Sequence, residues 1–390
     1  MEGRGPTSSI EQVARSKLAE LEAATLRRAL SETGRGEAGQ ATRDERQMIS
    51  FCCNDYLGLS QHPDVKRAAS EAIKQFGAGA GASRLVTGNH PFYDDLEIRL
   101  ARLKGTEAAL VFGSGYLANL GIPPVLAGKG DLILADELSH ASMRAGIQAS
   151  PAESRFFRHN DIEDCRRILQ KERCNFRHCL IMTEGIFSMD GDRAPLADLC
   201  DLAETFDAWL MTDDAHGLGV VGDGRGSAAE AGVGARIPLQ MGTLSKAVGS
   251  YGGFICASQP VIDLLINRAR SLIYATGLPP AVVAASCTAL EIIEADLELT
   301  RLPMARARRF TQQVGLPDPE STIVPLVVGT AEKALAASHQ LAEEGFLVTA
   351  IRPPTVPEGT ARLRFTFAAY HSDKDVDRLA VAVRKTGFLP

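Results

Sequence analysis

From about residue 50 onward, short apolar runs alternate with longer segments whose apolar positions recur every three or four residues. The runs lie at 108–112, 132–135, 179–183, 208–212, 238–241 and 253–257. Between them, 91–103, 162–171 and 196–206 carry helical periodicity. Strands of about five residues separated by helices predict βαβ units and a mostly parallel sheet, whose strands are apolar because both faces are covered. Pro123-Pro124 falls inside the helix expected after Gly115 and should end or kink it, because neither proline donates the ladder bond. Beyond residue 285 the pattern changes: helix at 331–344, strands at 346–351 and 362–367, and a closing helix at 374–385. The stretch 308–321 looks short, suggesting a trimmed C-terminal loop. Ahead of the sheet, 10–31 reads as an amphipathic helix with Val13, Leu18, Leu21, Ala24 and Leu26 on its apolar face. Residues 32–46 read as a polar, glycine-rich linker. The expected fold is therefore α/β. A large domain over 50–284 holds a mostly parallel sheet of the seven-stranded type flanked by helices. A smaller α+β domain covers 285–390, and an N-terminal helix with linker covers 1–49.

Composition narrows the function classes. The chain has 390 residues, 45% hydrophobic and 23% charged, with a net charge of −6. Nothing in it forms a Lys/Arg block of the kind that binds nucleic acid. No apolar run approaches the ~20 residues of a membrane span. The opening Met1-Glu2-Gly3-Arg4-Gly5 starts no apolar segment of signal-peptide type. Cys52 and Cys53 are adjacent, and the other six of the eight cysteines are scattered without zinc-ligand spacing. A cytoplasmic protein with reduced thiols and no metal is expected.

In open α/β sheets, ligands bind beyond the carboxyl ends of the strands, so the residues after each run are where chemistry should appear. After 108–112 comes Gly113-Ser114-Gly115-Tyr116 at a helix start, where free N–H groups can meet a phosphate. Alone, Gly-Ser-Gly is most often just a turn. After 208–212 comes Asp213-Asp214-Ala215-His216-Gly217. A carboxylate there can pair with a protonated pyridine nitrogen and make the ring an electron sink. His216 can reach the neighbouring ring oxygen. After 238–241 comes Gly242-Thr243-Leu244-Ser245-Lys246, a lysine among small and apolar residues. Desolvation lowers a lysine pKa, so the amine can form an imine and then act as a base. Thr243 adds a hydroxyl for phosphate. His140, after 132–135, can lie over a ring face, and Ser188, after 179–183, can bond a ring hydroxyl. Each piece has a bland reading as a capped turn or surface loop. Together they are what pyridoxal phosphate requires.

These residues resemble the α-oxoamine synthase family of fold-type I pyridoxal-phosphate enzymes over about 51–369. The resemblance rests on Asn54-Asp55-Tyr56-Leu57-Gly58-Leu59, on 79–88, on Leu138-Ser139-His140-Ala141-Ser142, on 183–192, on 213–217 and on the Lys246 loop. Cys52-Cys53 and Pro123-Pro124 depart from the family pattern. Residues 351–364 and Ser83-Arg84-Leu85-Val86-Thr87-Gly88-Asn89 are similar to the branch of biotin synthesis that uses alanine. The resemblance implies that Lys246 is the Schiff-base lysine, Asp213 the pyridine-nitrogen partner and His140 the stacked ring. His216 and Ser188 would bond the ring oxygen. The phosphate would meet the Gly115 and Tyr116 backbone, Thr243, and Thr276 of a second subunit. Arg364 would clamp the amino-acid carboxylate, with Asn54 and Ser83 near the acyl substrate. The implied partners are L-alanine and a pimeloyl thioester, on CoA or on a carrier protein, and a homodimer with shared sites. Two competing readings are another amino acid or acyl chain on the same machinery, and a catalytically silent relative.

Overall fold

Seven strands build the central sheet: β1 (Ala108–Phe112), β2 (Leu132–Asp136), β3 (Glu153–Phe157), β4 (Cys179–Glu184), β5 (Trp209–Asp213), β6 (Leu239–Thr243) and β7 (Gly253–Ala257). They are seen in a computed structural model that describes residues 9–389, so the polar opening Met1–Gly5 lies outside the described residues. The order is β1-β7-β6-β5-β4-β2-β3. Only β7 runs antiparallel, to β1 and β6; the other pairs are parallel. Continuous apolar runs arise because helices cover both faces, and β2 and β4 are buried at every position. The expected runs at 132–135, 179–183, 208–212 and 238–241 each stop short of the observed strand end. Asp136, Glu184, Asp213 and Thr243 keep ladder pairing while turning polar side chains to the carboxyl edge. The unforeseen strand is β3. It lies at the sheet edge with one neighbour, so its Glu153 and Arg155 stay partly in water and break the apolar pattern.

As expected, Pro123-Pro124 splits the helix after β1 into Gly115–Gly121 and Pro123–Leu126. Three other expectations need correction. The N-terminal helix ends at Ala23, not 31, and Thr25 takes a positive φ of 57° just beyond. None of its residues is buried, so its periodicity has no face to cover within this chain. Residues 32–46 are not a linker. Gly34–Arg35, Gln40–Arg43 and Arg46–Ser50 form a sheet that Phe346–Leu347 joins in parallel. Of the three strands within 34–50, only Ala41 and Met48 are buried hydrophobic residues, which is why the stretch looks polar. The third is the expected strand 346–351, which divides at Val348. Thr349–Ile351 pairs instead with Ala361–Thr366, which also pairs Ile323–Gly329. Residues 308–314 close the long helix Leu297–Val314, and the stretch that looked short follows it.

A charged clamp closes the carboxyl edge beside β2. Asp136, fully buried, accepts from His159 Nδ1 at 3.0 Å, and His159 Nε2 reaches Asp192 Oδ2 at 2.7 Å. Both ring nitrogens can donate only in the imidazolium. Desolvation opposes that charge, but hydrogen bonds to Asp136 and Asp192 outweigh it and raise the pKa to about 10. The unfolded value is near 6.5, so the stabilisation is complete below about pH 6.5 and is lost as pH rises through about 10. His159→Gln should destabilise the chain by about 3 kcal/mol at pH 6. Denaturant unfolding of both proteins should show that gap narrowing toward pH 10; a gap independent of pH would mean that the imidazolium is not its source.

Candidate active site

The ends of β4, β5 and β6 bring the titratable groups together. Glu184 and Asp213 are register partners, so their side chains share one face of the sheet. Asp213, buried, accepts from Asn119 Nδ2 at 2.7 Å and from Ala215 N at 3.0 Å. Asn119 also donates to Ser142 Oγ at 3.0 Å, and Ser142 lies 2.6 Å from His140 Nδ1. His140 is thereby tied to Asp213 through two side chains. Its ring lines a cavity, and desolvation lowers its pKa against the opposing charge of Asp213. Behind Asp213, the buried pair Lys104–Asp214 at 2.8 Å fixes the turn, with Ser227 Oγ donating to Asp214 at 2.6 Å.

A second chain of bonds starts at Lys246, whose Nζ is 2.8 Å from His216 Nε2. His216 Nδ1 is 2.6 Å from the Tyr56 hydroxyl. Burial, followed by the charges of Lys246 and Arg364, holds the His216 pKa well below its usual value, so the ring is neutral. One assignment satisfies every contact. The lysine donates to Nε2, Nδ1–H donates to the Tyr56 oxygen, and Tyr56 donates to Asn54 Oδ1 at 3.3 Å. Asn54 Oδ1 also accepts from Arg364 Nη1 at 3.2 Å. Desolvation lowers the Lys246 pKa to about 8, although Asp213 and Glu184 pull it upward.

Arg362 and Arg364 alternate onto one face of their strand and are both buried. Their partners differ. Arg362 forms an ion pair with Asp190, whereas Arg364 donates to Ser188 O at 2.5 Å and to Asn54 without meeting a carboxylate. Gly115 starts its helix beside Thr243, whose Oγ1 would lie 3.4 Å from a Cβ placed there. A Cβ on Gly253 would come within 2.5 Å of Gly115 N, so only glycine permits this approach. Tyr116 is half-exposed at the same turn. Thr276 and Ser83 pair with each other across an isolated bridge, and neither hydrogen-bonds the Lys246 group.

Sequence reasoning missed Glu184, Asn119 and Tyr56. Glu184 is buried; its Oε2 accepts from Ser188 N at 3.3 Å while Oε1 has no partner. Burial, then the charge of Asp213, pushes its pKa well above the usual carboxylate range. Tyr56 and Glu184 lie within recognised stretches, but Asn119 is one turn into a helix and carried no signal. The group fits pyridoxal phosphate on chemistry visible here. It holds a desolvated amine without a carboxylate partner, a buried carboxylate set by two N–H donors, and a glycine-lined helix start beside a threonine hydroxyl.

The sequence model described as Aminotransferase class I and II matches residues 46–383. This chain belongs to that family. Among curated relatives, it is 60% identical over 378 residues to a putative 8-amino-7-oxononanoate synthase of Parvibaculum lavamentivorans, covering 97% of each chain. It is 63% identical over 342 residues to the 8-amino-7-oxononanoate synthase of Methylocella silvestris, covering 88% of this chain and 97% of that one. The solved serine palmitoyltransferase of Sphingomonas wittichii superimposes with a TM-score of 0.89 at 33% identity, covering 99% of this chain and 100% of the other. The likeness within the family is thus to α-oxoamine synthases, as the sequence motifs suggested, and the fold is theirs.

Proposed function

We propose that the protein joins L-alanine to a pimeloyl thioester, releasing carbon dioxide and the thiol and giving 8-amino-7-oxononanoate for biotin synthesis. The cofactor is pyridoxal 5′-phosphate, held through Lys246. The observation that carries this reading is the unbroken path from Lys246 through His216, Tyr56 and Asn54 to Arg364, a buried cation with no carboxylate of its own. Relatives at 58–63% identity that bear the synthase name support the same substrates.

When bound, the cofactor delocalises the electron pair left on the amino-acid Cα after proton loss. The chain's residues set up that step. Asp213 would pair with the pyridine nitrogen, its two oxygens already oriented by Asn119 and Ala215. His140 would cover the face of the ring, and Ser188 with His216 would bond its ring oxygen. Gly115, Tyr116 and Thr243 would hold the phosphate. Arg364 binds the alanine carboxylate in a fixed plane and so sets the direction of the Cα–H bond. Lys246, with a pKa of about 8, is within reach of the free-base form that accepts the Cα proton. The new carbon–carbon bond forms between that Cα and the thioester carbonyl as the thiolate leaves. Carboxylate loss as carbon dioxide and reprotonation complete the balance. Asn54 and Ser83 lie toward the acyl group.

The assay combines amino acids with pimeloyl thioesters on CoA and on a carrier protein, following free thiol and product mass. Alanine should be preferred over glycine and serine; preference for either of those, or no thiol release, would overturn the reading.

The active form is a homodimer in which Thr276 of the partner subunit completes the phosphate site. Tyr274, 73% exposed with Arg270 over its ring, sits two residues from Thr276. Mixed dimers of Lys246→Ala and Thr276→Trp, each inactive alone, should regain up to about half the wild-type sites. No regain after verified subunit exchange would place each site within one chain. A cytoplasmic location belongs to the same proposal; among the described residues no helix is long and apolar enough to cross a membrane.

A further inference from the structure

Beside His140 opens a cavity of about 700 Å³ between the helix Ala141–Ala149, the loop after β4 and residues 353–358. Met189, Pro353, Pro354 and Val356 give it an apolar wall. Its one lysine or arginine side chain is Arg144. That guanidinium donates to the Glu137 backbone carbonyl and lies 4.6 Å over the Phe156 ring. It makes no ion pair among the described residues. Glu137 and Glu358 also line the cavity. The Glu137 carboxylate instead accepts from His159 N at 3.1 Å. A half-buried arginine, steadied by a carbonyl and a ring yet lacking an anion, is arranged to receive one.

We propose that Arg144 is a specificity-determining residue that binds an anionic group of the acyl thioester; the inference rests on the condensation proposed above. His140 caps the helix on which Arg144 sits four residues later, so the two lie on one face, about 6 Å apart along the axis. An acyl chain leaving the reaction centre past His140 crosses the apolar wall before it reaches Arg144. The six carbon–carbon bonds of an extended seven-carbon diacid, ~1.5 Å each along a zigzag, span roughly 7–8 Å, enough to cover the rise from His140 to Arg144. Arg364 and Arg144 then match the two carboxylates that the joined substrates carry, one at each end. The same guanidinium chemistry also suits a phosphate of the pantetheine arm.

The experiment compares wild type with Arg144→Gln and Arg144→Lys on four thioesters: pimeloyl and heptanoyl, each on CoA and on phosphate-free N-acetylcysteamine. Loss of a charge-assisted bond should cost about 10–100-fold in kcat/KM, mainly through KM, with partial recovery in the lysine variant. A loss confined to pimeloyl on both carriers identifies the far carboxylate. Loss confined to CoA on both acyl chains identifies the phosphate. Equal rates for wild type and Arg144→Gln on all four overturn the proposal. Calorimetric binding of pimelate and of CoA to the cofactor-loaded protein separates this from the reaction itself. If alanine condensation failed while Arg144→Gln abolished binding of either anion, the proposed reaction would fall and the Arg144 site would stand.

Discussion

Lys246→Ala should reduce turnover by about 10³-fold or more while leaving the fold intact, because one amine is asked both to hold the cofactor and to move the Cα proton. Its surroundings give the reason. The amine sits 2.8 Å from a neutral imidazole, and the nearby carboxyls of Asp213 and Glu184 are kept for other partners. An ammonium placed there is poorly compensated, which is why desolvation brings its pKa down to about 8. Removing it therefore relieves a cost to folding, and the variant should melt no lower than wild type. Two readouts do not depend on turnover. Borohydride treatment of wild type should fix the cofactor to the peptide containing Lys246, and the alanine variant should release it on denaturation. In cofactor-free wild type, acylation of Lys246 should rise with pH around a midpoint near 8. Covalent cofactor on any other lysine, or a midpoint above 10, would remove Lys246 from its role.

The main sheet was legible because burial on both faces writes itself as uninterrupted apolar runs, and six of its seven strands were found that way. The seventh, β3, escaped because an edge strand keeps Glu153 and Arg155 in water, and its composition then resembles a loop. Residues 32–46 were misread for a related reason: a sheet that buries only Ala41 and Met48 from that segment and its last strand leaves little hydrophobic signal. At the site, strand ends pointed to Lys246, Asp213, His216 and His140, and the structure places Asp213 and His140 on one chain of hydrogen bonds and Lys246 and His216 on another. What stayed hidden was the wiring. Asn119 connects Asp213 to Ser142 and His140, and Tyr56 connects His216 to Asn54, across separations of 94 and 160 residues that no local pattern records.

Arg364→Ala should raise the alanine KM about 100-fold, roughly 3 kcal/mol, with a smaller effect on the KM for the acyl thioester. Arg362→Ala should leave the alanine KM nearly unchanged and lower the melting temperature instead. The contrast follows from what each guanidinium already holds. Arg362 has Asp190 as its counter-ion, so its truncation breaks a largely buried pair and leaves a carboxylate without its partner. Arg364 is just as buried but meets the Ser188 carbonyl, the Asn54 amide oxygen and the Tyr56 hydroxyl, and no carboxylate among the described residues. Its positive charge is uncompensated until a carboxylate arrives, so substrate binding, rather than folding, supplies the missing anion. Arg364→Lys separates charge from geometry: an ammonium restores the attraction but cannot present two parallel N–H groups, so KM should recover in part while kcat stays low. The two arginines flank Leu363 on one strand, and both side chains occupy the same face, so a general disturbance of that strand would affect both variants alike. Equal KM changes in Arg362→Ala and Arg364→Ala, or a larger change in the former, would show that the alanine carboxylate is bound elsewhere.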